Sequence, residues 1–295
     1  MANIQEATNQ ITSTLAKGQD GSIQITFVAP WTVIQSSKTK ALEEIAKEIE
    51  IPGFRKGKAP SDKAKAHIAE STIIERALGK ILPEALSLAL KQYKLIPAIY
   101  PKFELLSTKD GEDWQIRALT CELPDVNLGG YKSKIQGEAR VKNLWAPGKT
   151  DPKKEPSLEE KEQLILRILL EQVKIDIPKL LIDEEVNSRL ASLLERTEKL
   201  GLSLENYLTS IGKNPDSLRA EYELQARNTI TLELILNKVA AEEGIKVKDD
   251  QIEKVISESA QTPQAKAKLD TPEQRRIIAS FLSRRAALDS LVNIL

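Results

Sequence analysis

The sequence predicts two folding regions in series: an α+β domain with helices packed on an antiparallel sheet, then an all-α domain. Three observations carry that expectation. Residues 22–28 alternate Ile23, Ile25 and Phe27 with Gln24 and Thr26, the period of a half-buried strand. Asp110-Gly111 separates two apolar segments, a strong hairpin signal. Beyond Ser157, apolar residues recur at helical spacing in each segment, broken by capping residues, Gly and Pro.

Taken in order, the first strand ends at Pro30. A helix follows, with Ile34, Ala41, Leu42, Ile45 and Ile49 on one stripe and Lys and Glu on the other. It stops at Pro52-Gly53. After Pro60 a short helical piece carries Lys63, Lys65 and His67. Thr72 and Glu75 have the spacing of a capping box. The helix they would start holds Ile73, Ile74, Leu78, Ile81, Leu82, Leu86 and Leu90, and Pro83 should kink it. Strands over 96–106 and 114–123 complete the α+β part. From Gly129 the pattern weakens, and residues 145–156 read as a linker, rich in Pro and charge. The expected division is therefore 1–144, a linker over 145–156, and a helical domain over 157–295.

The helical part begins with Ser157 and Glu160, another capping box, and runs to Ile177-Pro178. Residues 180–200 carry Leu181, Val186, Leu190, Leu193 and Leu194, closed by Gly201. Ser203 caps a short helix reaching Ile211. Asn214-Pro215 is an N-cap followed by Pro at the first helical position, opening a helix to Glu243 that would be about 43 Å long. Asp249 caps a helix to Ala260, and Thr271-Pro272-Glu273-Gln274 starts the last one.

Composition narrows the function classes. The 295 residues carry 43 basic and 43 acidic side chains, a formal net charge of +0, which argues against general nucleic-acid or membrane binding. Aromatics are scarce at 4%, so the cores must be built from Leu, Ile, Val and Ala. Cys121 is the only cysteine, which excludes an intrachain disulfide and fits a reducing compartment. The polar start, Met1-Ala2-Asn3-Ile4-Gln5-Glu6, has no signal-peptide blocks, and the run 164–170 is short and broken by Arg167. The expectation is a soluble cytoplasmic protein. One His and one Cys cannot build a zinc site, and the Gly53/Gly57 and Gly129-Gly130 pairs lack the spacing of a phosphate loop. Acidic pairs such as Glu43-Glu44 and Glu159-Glu160 sit on charged helices and read as solvated faces. Trp31, Trp114 and Trp145 are too dispersed for a stacking platform. No enzyme, metal or cofactor is expected.

The stretch that stands out is Ile51-Pro52-Gly53-Phe54-Arg55-Lys56-Gly57-Lys58-Ala59-Pro60. Two glycines and two prolines in ten residues fix a loop, with one aromatic and three cations on it. It reads either as a basic connector whose Phe54 folds back onto the core, or as a docking tip. In the second case its cations meet phosphates or acidic side chains and Phe54 fills an apolar notch. The order Gly-Phe-Arg-Lys-Gly-Lys-x-Pro resembles the ribosome-binding loop of the bacterial trigger factor family. Ile175-Asp176-Ile177-Pro178, Gly201-Leu202-Ser203-Leu204-Glu205-Asn206-Tyr207 and Glu243-Gly244-Ile245-Lys246-Val247 are similar to its C-terminal chaperone domain, a helical body with extended arms.

The resemblance implies an ATP-independent, ribosome-associated chaperone without a cofactor. Its ribosome-binding residues would be Gly53, Phe54, Arg55, Lys56, Gly57, Lys58 and Pro60. Its partners would be the large ribosomal subunit at the tunnel exit, through protein and rRNA, and nascent or unfolded polypeptides, with no membrane and with a homodimer left open. Most of the family carries an FK506-binding-type prolyl isomerase domain near the middle. The interval from Tyr131 to Ser157 has no room for one and offers only Trp145 as a pocket aromatic, so isomerase activity is not carried over. The alternative is a helical holdase or assembly adaptor that binds folded partners and never visits ribosomes.

Overall fold

Two short strands open the described part of the computed structural model, which comprises residues 11–50, 54, 65–143, 157–260 and 262–295. β1 (Thr12–Lys17) and β2 (Ser22–Ala29) pair antiparallel, from Thr12 opposite Val28 to Lys17 opposite Ile23. Asp20 closes the turn between them, accepting from the Ser22 N–H at 3.1 Å and the Ser22 hydroxyl at 2.6 Å. These bonds hold its carboxyl below the ordinary value. Gly21 takes a φ of 79° there, which a side chain would make costly.

Two helices follow, α1 (Trp31–Glu48) and α2 (Glu70–Tyr93), before β3 (Lys102–Ser107) and β4 (Trp114–Cys121). β4 pairs with both β2 and β3, giving the all-antiparallel order β1-β2-β4-β3. Every second residue of the central strands faces the helices. Ile23, Ile25 and Phe27 of β2 and Trp114, Ile116 and Ala118 of β4 pack with Ile34 of α1 and Leu78, Ile81, Leu82 and Ala85 of α2. This is the α+β arrangement that the alternation in β2 implies.

Two local expectations need correction. The strand expected from Ile96 begins only at Lys102. Pro97 and Pro101 have no N–H for a ladder, so the strand waits until both are past. β3 and β4 do form an antiparallel hairpin through Asp110-Gly111, joined by a six-residue loop, 108–113, with a register shift near Leu105 and Ser107. Gly111 still supplies the positive φ, 86°. α2 starts at Glu70, two residues before the Thr72 box, with Ala69 as an N-cap that makes no side-chain bond. Glu70 in the first turn instead complements the helix dipole. α2 runs unbroken through Pro83.

The second unit is helical: α3 (Tyr131–Asn143), α4 (Leu158–Gln172), α5 (Lys179–Lys199), α6 (Leu204–Ser210), α7 (Pro215–Glu242), α8 (Asp249–Ser259), α9 (Pro263–Leu269) and α10 (Pro272–Val292). Its caps are largely those read from sequence. Ser157 Oγ accepts from the Glu160 N–H at 3.2 Å while the Glu160 carboxylate accepts from the Ser157 N–H at 2.9 Å. Asn214 and Ser217 form the same reciprocal pair, and Ser203 and Thr271 cap α6 and α10. Asp249 is the exception: it is the first helical residue, and the cap is Lys248, whose N–H donates to Gln251 Oε1 at 3.0 Å. α3 and α9 are helices that the sequence pattern does not announce.

Ile135, Ile165, Leu169, Ile235, Val239, Ala287 and Leu291, contributed by α3, α4, α7 and α10, form the fully or almost fully buried centre. A separate cluster of Leu193, Leu208 and Leu218 joins α5, α6 and the start of α7. α7, about 42 Å long from its 28 residues, therefore serves two cores, and Leu224 between them is exposed.

By packing, the chain divides into residues 1–123 with 178–181, and 124–177 with 182–295. Segment 124–143 thus goes with the helical unit, through Leu128, Tyr131 and Ile135. A fragment over 124–295 should accordingly melt cooperatively. One over 157–295 should be weaker by on the order of 5 kcal/mol, the burial of those three side chains. Equal thermal midpoints for the two fragments would show α3 to be a dispensable appendage.

Candidate functional site

Of the seven residues singled out in the basic loop, Phe54 is described, and it is 42% exposed. Gly53, Arg55, Lys56, Gly57, Lys58 and Pro60 lie outside the described residues. The short helical piece expected after Pro60 lies outside them as well, up to Ala64.

The helices on either side of the loop in sequence are described. α1 leads into it and α2 leads away. Ala41, Ile45, Ile73 and Ala77 make a small core between the two helices, bordered by Leu42, Ile49 and Ile68. Alanines at this contact let the helices approach closely. Glu48 takes a two-bonded fork from Arg76, at 3.2 and 3.0 Å, and Glu44 accepts from Lys80. The two pairs run in opposite sequence directions, as an antiparallel hairpin requires. Exposed pairs of this kind contribute little stability, so their effect is mainly on register. The last turn of α1 is closed by the Ile49 N–H, which donates to the Ile45 carbonyl at 3.1 Å. Lys38 lies 5.8 Å from the Trp31 ring centre and 5.5 Å from that of Trp114, and binds Asp110 at 3.3 Å, tying α1 to the β3–β4 loop.

Groups that could do covalent chemistry are poorly placed for it. Cys121 is fully buried and burial pushes its thiol up, away from the reactive thiolate. His67 is exposed, near the start of α2. Among the described residues no group of three or more His, Cys, Asp and Glu is placed to hold a metal. Glu243, at the end of α7, is a carboxylate with two partners from other helices. Burial opposes its ionisation, but hydrogen bonds from Ser290 and from Lys132, the latter at 2.9 Å, keep its carboxyl below the ordinary value. That network fastens α3 to α7 and α10, and is structural.

Each unit also exposes large apolar side chains, which periodicity alone cannot locate. In the helical unit Leu194, Leu200, Leu202 and Ile211 stand out around the ends of α5 and α6, and Ile277 and Phe281 on one turn of α10. In the α+β unit, Ile96, Tyr100, Leu105 and Leu106 are exposed, and a groove of about 570 Å³ runs along the C-terminal part of α2. Such surfaces can hold apolar chain segments weakly and reversibly. No helix among the described residues is long and apolar enough to cross a membrane.

Comparison with known proteins gives a consistent picture. Residues 11–143 match the family model described as bacterial trigger factor protein, and residues 150–293 match that for the bacterial trigger factor C-terminus. Trigger factor of Enterococcus faecalis is 35% identical over 117 residues, 40% of this chain and 27% of that protein. Trigger factor of Limosilactobacillus reuteri is 30% identical over 150 residues, 51% of this chain and 33% of that protein. The matches thus span about a quarter to a third of these curated relatives. A solved structure of the trigger factor chaperone, from work on promiscuous substrate recognition in folding and assembly, superposes with a TM-score of 0.61. The superposition covers 96% of this chain and 99% of that one at 15% identity, which supports the fold.

Proposed function

We propose, from the premise that this chain belongs to the bacterial trigger factor family, that it is an ATP-independent chaperone docking at the nascent-chain exit of the large ribosomal subunit. The observation that carries this reading is the loop itself. Gly53-Phe54-Arg55-Lys56-Gly57-Lys58-Ala59-Pro60 lies inside the span 11–143 matched by the N-terminal family model, between two packed helices. Arg55, Lys56 and Lys58 supply cations for rRNA phosphates and acidic side chains, and Phe54 enters an apolar notch. The helical unit, with its exposed leucines, then holds emerging apolar segments. Burial at about 25 cal/mol per Å² is enough for weak, sequence-tolerant holding. Release follows when the client buries those segments in its own core, so no nucleotide is required.

Co-sedimentation with large ribosomal subunits tests this. The protein should pellet at modest salt, and binding should fall steeply as salt rises, because phosphate contacts release counterions. Absence from the pellet at low salt would refute ribosome docking and favour the adaptor reading.

The same reading assigns no isomerase activity. The two matched spans leave only residues 144–149 between them, too few for a further domain. A proline-limited refolding step should keep its uncatalysed time of tens of seconds or more at catalytic concentrations of this protein. Clear acceleration would locate a proline site elsewhere in the chain.

A further inference from the structure

The groove along α2 has a floor and a rim of different chemistry. Leu86 and Leu95 lie nearly buried at its base, Leu90 is half-buried, and Ile96 projects with 82% of its surface exposed. Lys91 and Lys94 line its end at the last turn of the helix, and neither makes an ion pair among the described residues. Lys91 alone is ordinary, since a cation at a helix C-terminus complements the dipole.

Lys94 is not. The Leu95 N–H donates to the Leu90 carbonyl and the Lys94 N–H to the Lys91 carbonyl, the paired bonds of a Schellman ending. That ending needs a left-handed residue at position 94, and Lys94 takes φ 54° and ψ 43°. It is the one non-glycine residue with positive φ among the described residues. Glycine adopts this conformation without strain, and six of the described glycines take a positive φ. A lysine here carries backbone strain and places an ammonium beside an apolar trough.

We propose that this groove is a binding site for unfolded chain segments in which apolar side chains adjoin an acidic residue: the apolar residues lie on Leu86, Leu90, Leu95 and Ile96, and the carboxylate meets Lys91 and Lys94. The inference rests on the holding function proposed above and names a class of client for one surface. Charge complementarity selects the acidic partner. The apolar floor selects polypeptide over RNA, whose backbone would leave it uncovered.

The test uses the full chain and two fluorescent ten-residue peptides, Leu- and Phe-rich, one with two Asp and the other with Lys in their place. Anisotropy should show the acidic peptide binding about three- to tenfold tighter at low salt, as expected for two exposed ion pairs. That advantage should shrink as salt screens it. Lys94→Gly should clearly reduce the preference, leaving the share that Lys91 supplies, while its thermal midpoint stays level or rises, since glycine relieves the strain. Lys94→Arg should retain the preference, and Ile96→Ser should weaken both peptides. Equal binding of the two peptides, an undiminished preference in Lys94→Gly, or displacement of the acidic peptide by a short homopolymeric RNA would overturn the assignment. Aggregation suppression of a chemically unfolded client is measured on the same samples. If it persists without the peptide preference, the groove assignment alone fails. If the preference is present without suppression, the groove assignment stands and the chaperone reading fails.

Discussion

Replacing Phe54, Arg55 and Lys56 together by Ala should abolish co-sedimentation with large ribosomal subunits and leave the thermal midpoint nearly unchanged. The loss is expected to be large because an aromatic anchor and an Arg on one loop have the character of interface hot spots. Truncating a hot spot costs about 2 kcal/mol or more, so two of them alone weaken binding by roughly a thousandfold. Folding should hardly notice. Phe54 is 42% exposed, and exposed positions away from caps and cores usually shift stability by less than about 0.5 kcal/mol. The α1–α2 hairpin keeps its own small core of Ala41, Ile45, Ile73 and Ala77 whatever the loop carries. A triple variant that still pellets with ribosomes would remove the loop from the mechanism. Loss of binding together with a fall in the midpoint would show instead that Phe54 belongs to the core.

Trp114→Ala should have the largest effect on stability, about 3–5 kcal/mol, confined to the α+β unit. Trp114 is 1% exposed at the start of β4, and its indole N–H donates to the Lys109 carbonyl at 3.3 Å. Alanine would leave a void between β4 and the helices and strand that carbonyl. It would also remove one of the two rings beside Lys38. Since whole domains are stable by only about 5–15 kcal/mol, the unit's midpoint should fall by roughly 10–20 °C. Scanning calorimetry should show this transition moving while that of the helical unit stays, because the two units have separate cores. A single transition shifting as a whole would mean that the two cores unfold together.

Much of this architecture is determined locally and is therefore legible in the sequence. Ser157 with Glu160, Ser203, Asn214 with Pro215, and Thr271 with Pro272 mark helix starts because a side-chain oxygen and a free N–H lie within one turn of each other. The alternation in β2 is equally local, since side chains of a strand point to opposite faces in turn. The basic loop stands out for another reason: its contiguous residue order resembles that of the trigger factor family.

Tertiary structure decided what local pattern leaves open. β1 has a weak apolar signal, and only its ladder with β2 makes it a strand. Among its described side chains α3 offers Tyr131 and Ile135 to a core, and its helix is stabilised by packing on α4. The same packing assigns 124–143 to the helical unit. Ile96 illustrates the limit most plainly. Its sequence context is an apolar run at the head of a strand, yet Pro97 and Pro101 keep it out of the ladder, and it stands on the rim of the α2 groove. Whether an apolar residue is core or surface depends on what the rest of the chain brings against it, and no window of sequence contains that information.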